Sequence, residues 1–271
     1  MPADAEKFAE NVRRFTGFAG DYDRHRPSPP VVLGDLVAQF SGAPRPALVA
    51  DLGSGTGLST RYWADKAGQV MGVEPTADMR AQAAATTTAA NVSYREGFSH
   101  ATGLPARCAQ VVSCVQALHW MEPAGTFAEA ARILEPGGVF FACDYDWPPA
   151  SGAWAADAAF ADCIRLGRKL EQERGLISGL QHWHKDGHFA RMQASGLFRH
   201  VRDLAVHHVD AGDAARFVGL LLSQGYIVGL LRAGVSEDEL GITALREVAQ
   251  RTLGELSRPF LWTARVRVAV V

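Results

Sequence analysis

The sequence predicts an α/β fold built on a parallel sheet, and three observations predict it. Short β-type runs alternate with helical stretches from about residue 47 to residue 145. The first run, Ala47-Leu48-Val49-Ala50, leads straight into a glycine-rich turn, "DLGSGTG", Asp51 to Gly57. With 271 residues, 48% of them hydrophobic, the chain suits one well-filled domain carrying an inserted subdomain. Strands spaced by helices mark βαβ units.

The elements follow in order. Residues 5–16 read as a short helix, and "YDRHRPSPP" (Tyr22 to Pro30) as a proline-rich loop. Pro29-Pro30 then opens a helix to about Phe40, since proline suits a first helical turn. Strands are expected at 47–52, 69–74, 91–95, 110–116 and 138–144, with helices near 58–67, 76–89 and 124–134 between them. "LEPGG" reads as a proline-glycine stop to the last of these helices.

After Asp146 the rhythm changes: a long helix over 153–174, a loop "SGLQHWHKDG", a helix over 187–195 and a strand over 200–209. Residues 211–256 carry helical periodicity alone, and 262–271 alternate as a final strand. This spacing predicts a helical lid at about 210–258, inserted between the sixth and seventh strands. The expected organisation is an N-terminal helical cap segment, 1–44, and a main domain, 45–271, holding the lid.

Composition narrows the function. Net charge is -2, with 27 basic and 29 acidic residues, and no basic run argues for nucleic acid. The four cysteines lack C-x-x-C spacing, which points to reduced core thiols rather than zinc. The charged N-terminal residues lack the apolar core of a signal peptide, and apolar stretches fall short of a membrane span. A cytoplasmic location, no membrane partner and no nucleic-acid partner are therefore expected, with oligomeric state open and a homodimer among the options. His182, His184, His188, His207 and His208 lack a completing ligand cluster, so no metal is expected.

The glycine turn points to a nucleoside-like ligand. Glycines at positive φ let a ligand approach the backbone at the head of a helix. A dinucleotide fingerprint would need a third glycine where Leu58 stands, and no G-K-[ST] follows, so nicotinamide and nucleoside triphosphate sites are disfavoured. Asp51, before the turn, suits a cation, hence a ligand with an ammonium group. Glu74 ends the next strand, where a carboxylate accepts both ribose hydroxyls.

"VADLGSGTG", "GVEPTADMR", "REGFSHATGLP" and "VVSCVQALHWM" resemble the successive motifs of class I S-adenosylmethionine-dependent methyltransferases, in particular the small-molecule, type 11 and trans-aconitate-methyltransferase-like group. The resemblance spans about residues 45–145, together with "YDRHRPSPP" ahead of them. It implies a doubly wound, Rossmann-like, seven-stranded sheet with the last strand antiparallel. It implies S-adenosyl-L-methionine as cofactor, S-adenosyl-L-homocysteine as product and no metal. Carried over by motif, Asp51, Gly53, Ser54 and Gly55 would hold the methionine part and Glu74 the ribose. Pro75 and Met79 would lie on one side of the adenine and Gly97, Phe98 and Ser99 on the other, with Gln116 to Trp120 near the transferring methyl. The chain departs from the pattern at His100, where an acid is usual, and at Gln110, where Asp is usual.

Such a reaction needs alignment and exclusion of water more than acid–base chemistry. His119 and Tyr22 are the candidate catalytic residues, His119 as a general base or an orienting group. Candidate substrate contacts are Arg26, as a carboxylate grip, with Trp120, Tyr145, Trp147 and Gln224, and more loosely Leu220 and Phe260. The expected activity is methylation of an oxygen, nitrogen or carbon of a small, partly apolar metabolite, with specialised metabolism as a possible setting. A peptide- or protein-modifying enzyme and a non-catalytic cofactor-binding protein are the alternatives.

Overall fold

Seven strands, β1 (Leu48–Leu52), β2 (Gln69–Val73), β3 (Val92–Arg95), β4 (Ala109–Val115), β5 (Leu134–Tyr145), β6 (His200–Gly212) and β7 (Arg258–Val270), form one sheet in the computed structural model, which describes residues 6–271. The spatial order is β3-β2-β1-β4-β5-β7-β6. The pairs among β1 to β5 are parallel, whereas β7 runs antiparallel to both β5 and β6. The sheet is thus doubly wound, with its last strand reversed.

Eleven helices are numbered here: α1 (Ala9–Phe15), α2 (Ala19–His25), α3 (Leu33–Ser41), α4 (Leu58–Tyr62), α5 (Ala77–Thr86), α6 (Pro123–Ile133), α7 (Trp154–Glu173), α8 (His188–Ala194), α9 (Ala214–Leu222), α10 (Gly225–Arg232) and α11 (Ile242–Thr252). Residue 5, the expected start of the first helix, lies outside the described residues.

Both faces of the sheet are buried, which is why its central strands read as unbroken apolar runs. Val111, Val139, Phe141 and Cys143 face one core with α3, α7 and α9 to α11. Val112, Cys114, Phe140 and Ala142 face the other, with Phe127 and Met192. Leu220 and Phe260 are fully buried in the first core, not at a cavity.

Three boundaries differ from expectation. Tyr22 to His25 belong to α2, so the proline loop begins only at Arg26. "LEPGG" does stop α6 at Ile133, but β5 begins within it, at Leu134 rather than 138, as a bulged entry: Leu134 pairs with Ala109, the register shifts before Val111, and Gly137 takes φ +82° while its N–H donates to Val271 O. β6 and β7 extend to Gly212 and back to Arg258, because each continues the other's ladder. No single helix among the described residues is long and apolar enough to cross a membrane; the apolar pair α9 and α10 is bent by 76° and lies largely in the core.

Candidate active site

The strand ends β1, β2 and β4 open onto a groove, and beside it lies a cavity of about 570 Å³. Ligands in open α/β sheets bind outside these carboxyl ends. Gly53, Ser54, Gly55, Glu74, Pro75, Met79, Phe98 and Ser99 line the groove. His119, Trp147 and Gln224 line the cavity. Tyr22, Arg26, Gln116 and Trp120 line both, so these four form the joint. Of the segment between β6 and β7, only Gln224 and the first residues of α10, Gly225 and Tyr226, reach the cavity. Most of its far wall comes from α7 and the 182–186 loop.

The turn is built for close approach. Gly53 sits at φ +66°, and a Cβ there would stand 2.8 Å from the Ala117 side chain. Gly55, at φ +55°, has no atom within 4 Å of where its Cβ would be, which leaves room beside the groove. Glu74 is buried, and burial pushes its carboxyl up, against the pull of its backbone donors. Thr76 N–H donates to Oε1 at 2.8 Å and Gly55 N–H to Oε2 at 3.1 Å. One backbone bond to each oxygen leaves lone pairs for a further ligand.

Besides Leu220 and Phe260, three expected site residues, Asp51, Tyr145 and Gly97, do not line either space. Asp51 is fully buried, and its carboxylate accepts from Ser59 Oγ (2.5 Å), Thr60 Oγ1 (2.7 Å) and Ser113 Oγ (2.7 Å). Strand alternation gives it the face of Val49, beneath α4, where it braces the turn from within the core. Tyr145 alternates away from Asp144 for the same reason; its hydroxyl donates to the Ser28 carbonyl and its ring packs on Trp262. Gly97 lies behind the lining, close to Val73.

Gln116 follows β4 in a left-handed conformation, φ +55°, costly for a residue with a Cβ and characteristic of functional turns. Its Oε1 accepts from Lys185 Nζ at 3.1 Å, and its Nε2 is buried without an acceptor. His119 is buried at the cavity base, its Nδ1 3.4 Å from Asp144 Oδ1. Lys185 Nζ and Arg267 Nη1 lie 3.1 and 3.4 Å from the same carboxylate. Burial pushes Asp144 upward, but Lys185 and His119 outweigh it and hold the carboxyl well below its usual range.

Burial first, and then Lys185, pushes His119 down to about 3. The ring is therefore neutral near pH 7 and a weak proton acceptor. It is better suited to orient a hydrogen-bonding group than to carry a proton away. Burial is also the leading cause that lowers His182 and His188, each to about 4. Unfolded histidine binds a proton near 6.5, so below that pH the unfolded chain takes up more protons than the folded one. Stability should therefore fall as pH drops from about 6.5 towards 4. The melting temperature, followed by calorimetry, should decline over this range, and less steeply in His188→Asn; a flat profile would contradict the burial of these rings.

Sequence reasoning missed several parts of the site. Asn11 on α1 donates to Gln181 O (2.8 Å) and Trp120 O (3.3 Å) and accepts from Gln181 N–H (2.9 Å). Arg14 pairs with Glu171 at 2.6 Å and lies over the Trp120 ring. No motif signalled these residues. Among the described residues no group of three metal-capable side chains occurs.

Residues 50–142 match a family model described as a methyltransferase domain. An uncharacterized methyltransferase of Mycobacterium tuberculosis is 35% identical over 127 residues, 46% of this chain and 49% of that protein. A Saccharomyces cerevisiae protein assigned as an S-adenosylmethionine-dependent methyltransferase is 27% identical over 124 residues, 44% of this chain and 42% of that protein. The chain thus spans about half the length of the relatives it matches. Among solved structures, a candidate type II methyltransferase from Anaeromyxobacter dehalogenans superposes with a TM-score of 0.62 at 20% identity, covering 90% of this chain and 97% of that one. The YcgJ protein of Bacillus subtilis gives 0.53 at 16% identity, over 88% and 97%. These structural likenesses concern the fold.

Proposed function

We propose that this chain, whose residues 50–142 match a methyltransferase domain, is a class I S-adenosylmethionine-dependent methyltransferase that moves the cofactor's methyl group onto a small, partly apolar molecule held in the larger cavity. The observation that carries this reading is the joint: a groove ending at Glu74 meets an aromatic-walled cavity at Tyr22, Arg26, Gln116 and Trp120.

The groove suits the cofactor. Open space at Gly55 admits a ligand against the backbone. Glu74 keeps acceptor capacity for two ribose hydroxyls, and Met79 and Phe98 offer apolar surface for a base. Ser54 Oγ, Gln116 Nε2 and Arg26 Nε are buried without partners in the same lining, as expected where a polar ligand completes the set. When bound, S-adenosylmethionine supplies an electrophilic methyl on a sulfonium and a neutral thioether leaving group.

The protein's part is then alignment and exclusion of water. Trp120, Trp147 and Tyr226 give flat apolar walls for a substrate body, and Gln224 adds a polar contact. His119, a neutral ring with Nδ1 3.4 Å from Asp144 Oδ1, would orient the accepting group. Tyr22 closes the joint over Arg26, its ring 4.7 Å from the guanidinium carbon. A volume of about 570 Å³ suits a small molecule.

Calorimetry tests the reading: S-adenosylhomocysteine should bind in the micromolar range, whereas NADH and ATP should not. Binding of a nucleotide with indifference to S-adenosylhomocysteine would overturn it. Once an acceptor is found with methyl-labelled cofactor, His119→Asn should lower kcat by roughly 10- to 100-fold with cofactor affinity unchanged. The wild-type kcat profile should show no limb near pH 6.5, because the ring is already neutral there; a limb at that pH lost in His119→Asn would restore the general-base role.

A further inference from the structure

We propose that the methyl acceptor is a hydroxyl oxygen held between Gln116 Nε2 and His119 Nε2 at the cavity base, so that the chain is an O-methyltransferase; this rests on the methyl-transfer reading above. Both residues line the cavity, on the short turn that follows β4. Each has one polar atom committed inside the protein and one left over. The same two charged side chains, Lys185 and Asp144, set what each leftover atom can do.

Gln116 supplies a donor. Lys185 Nζ stands 3.1 Å from its side-chain amide. An ammonium only donates, so the amide atom that faces it is the oxygen, Oε1. Nε2 therefore points elsewhere, and it is buried with no acceptor among the described residues. An amide donor left unpaired in a site lining is costly unless a ligand completes it.

His119 supplies an acceptor. Its Nδ1 lies 3.4 Å from Oδ1 of Asp144, a carboxylate only 2% exposed. Lys185 Nζ at 3.1 Å and Arg267 Nη1 at 3.4 Å keep that carboxylate ionised. An ionised carboxylate beside Nδ1 places the ring hydrogen there, and the other nitrogen of a neutral ring then carries a lone pair. Nε2 is thus the acceptor that His119 brings to the cavity it lines. From Gln116 Oε1 through Lys185 Nζ and Asp144 Oδ1 to His119 Nδ1 the contacts make one chain. Its two free ends are a donor and an acceptor.

A hydroxyl satisfies both ends and still has electrons to give. It donates its hydrogen to His119, accepts from Gln116 with one lone pair, and keeps the second for attack. A neutral amine held the same way has no lone pair left, and a carboxylate has no hydrogen for His119. As the oxygen bonds to the methyl carbon, the carbon–sulfur bond breaks with its electrons kept by sulfur, and the hydroxyl proton passes to His119 Nε2. A strong base is not needed, because an oxygen carrying both methyl and hydrogen is cationic and readily gives up its proton. Asp144 balances the charge on the ring until the proton leaves through the cavity. Lys185 and Asp144 are positioning residues in this scheme.

Three probes of one shape test it: 2-naphthol, 2-naphthylamine and naphthalene, titrated calorimetrically into protein saturated with S-adenosylhomocysteine. Naphthol should bind about tenfold tighter than naphthylamine, whose nitrogen is a poor acceptor, and naphthylamine about threefold tighter than naphthalene. Gln116→Met should remove the first preference and His119→Phe the second. Lys185→Met should also reduce the first, and Lys185→Arg, which still donates to the amide oxygen, should keep most of it. Nitrogen NMR of the His119 ring should show the hydrogen on Nδ1, and carbon-13 methyl cofactor should convert naphthol to its methyl ether. A hydrogen on Nε2, a ring-methylated naphthol, or naphthol bound no better than naphthylamine, failure of all three probes to bind included, would overturn the proposal. So would a Gln116→Met variant that loses S-adenosylhomocysteine instead of naphthol, since the donor would then serve the cofactor. If the wild type did not bind S-adenosylhomocysteine, the cofactor reading itself would fail; with that ligand bound and naphthol not preferred, this proposal alone is lost.

Discussion

Replacing Glu74 by alanine is expected to weaken S-adenosylhomocysteine binding by about 100-fold or more. A hydrogen bond to a carboxylate is worth about 1.5–3 kcal/mol and each 1.4 kcal/mol is tenfold, so losing two ribose contacts reaches that scale. The side chain also accepts from Gly55 and Thr76 N–H, so alanine loosens the turn as well. Glutamine keeps the length but replaces one acceptor by a donor, which would face one of those N–H groups. Its effect should therefore approach that of alanine rather than vanish. Isothermal calorimetry, with circular dichroism to establish folding, measures both variants; an affinity equal to wild type in Glu74→Ala would remove Glu74 from the cofactor site.

The second large effect is on stability. Asp51→Ala should lower the melting temperature by roughly 10 °C, from about 3–5 kcal/mol lost at about 2–4 °C per kcal/mol in a chain of this size. Three hydroxyls, on Ser59, Thr60 and Ser113, would lose their common acceptor inside the core. Burial already pushes the Asp51 carboxyl up, so a neutral amide is tolerated better. The hydroxyls of Ser59 and Thr60 can turn to accept from its NH₂, and Asp51→Asn should lose less than half as much. In the asparagine variant S-adenosylhomocysteine affinity should stay within about threefold of wild type. An asparagine variant that melts normally yet loses the ligand would show a direct contact, against the geometry.

These two acids illustrate how far the sequence could be read. Both were expected to touch the cofactor, because both stand at strand ends beside a glycine turn. Glu74 does line the groove, since it leaves the strand at its last turn outward. Asp51 is still inside β1, paired across to Gly72 and Ser113, and there alternation sends it beneath α4. A single step along a strand reverses the side a residue faces. Tyr145 failed for the same reason, at the end of β5.

The larger cavity was less legible. Gln116, His119 and Trp120 were expected from one motif, but Arg14, Glu171 and Lys185 come from segments up to 171 positions apart in the chain. Asn11 joins α1 to the exits of two of those segments through one side-chain amide. Trp183 N–H donates to His119 O at 2.8 Å and anchors the loop that carries Lys185. Neither contact has a periodicity or spacing that a sequence displays.

What the sequence determined by itself was local: the glycine turn, the acid closing β2, and the alternation of strands and helices that winds a parallel sheet. Short-range sterics and hydrophobic period decide those features, so they can be read residue by residue. The tertiary structure alone decided that Asp51 braces the turn from inside the core, that burial lowers the His119 ring to about 3, and that Arg26, at the joint of two cavities, has no carboxylate partner among the described residues. Burial and charge pairing depend on which distant segments pack together, and no stretch of chain carries that information on its own.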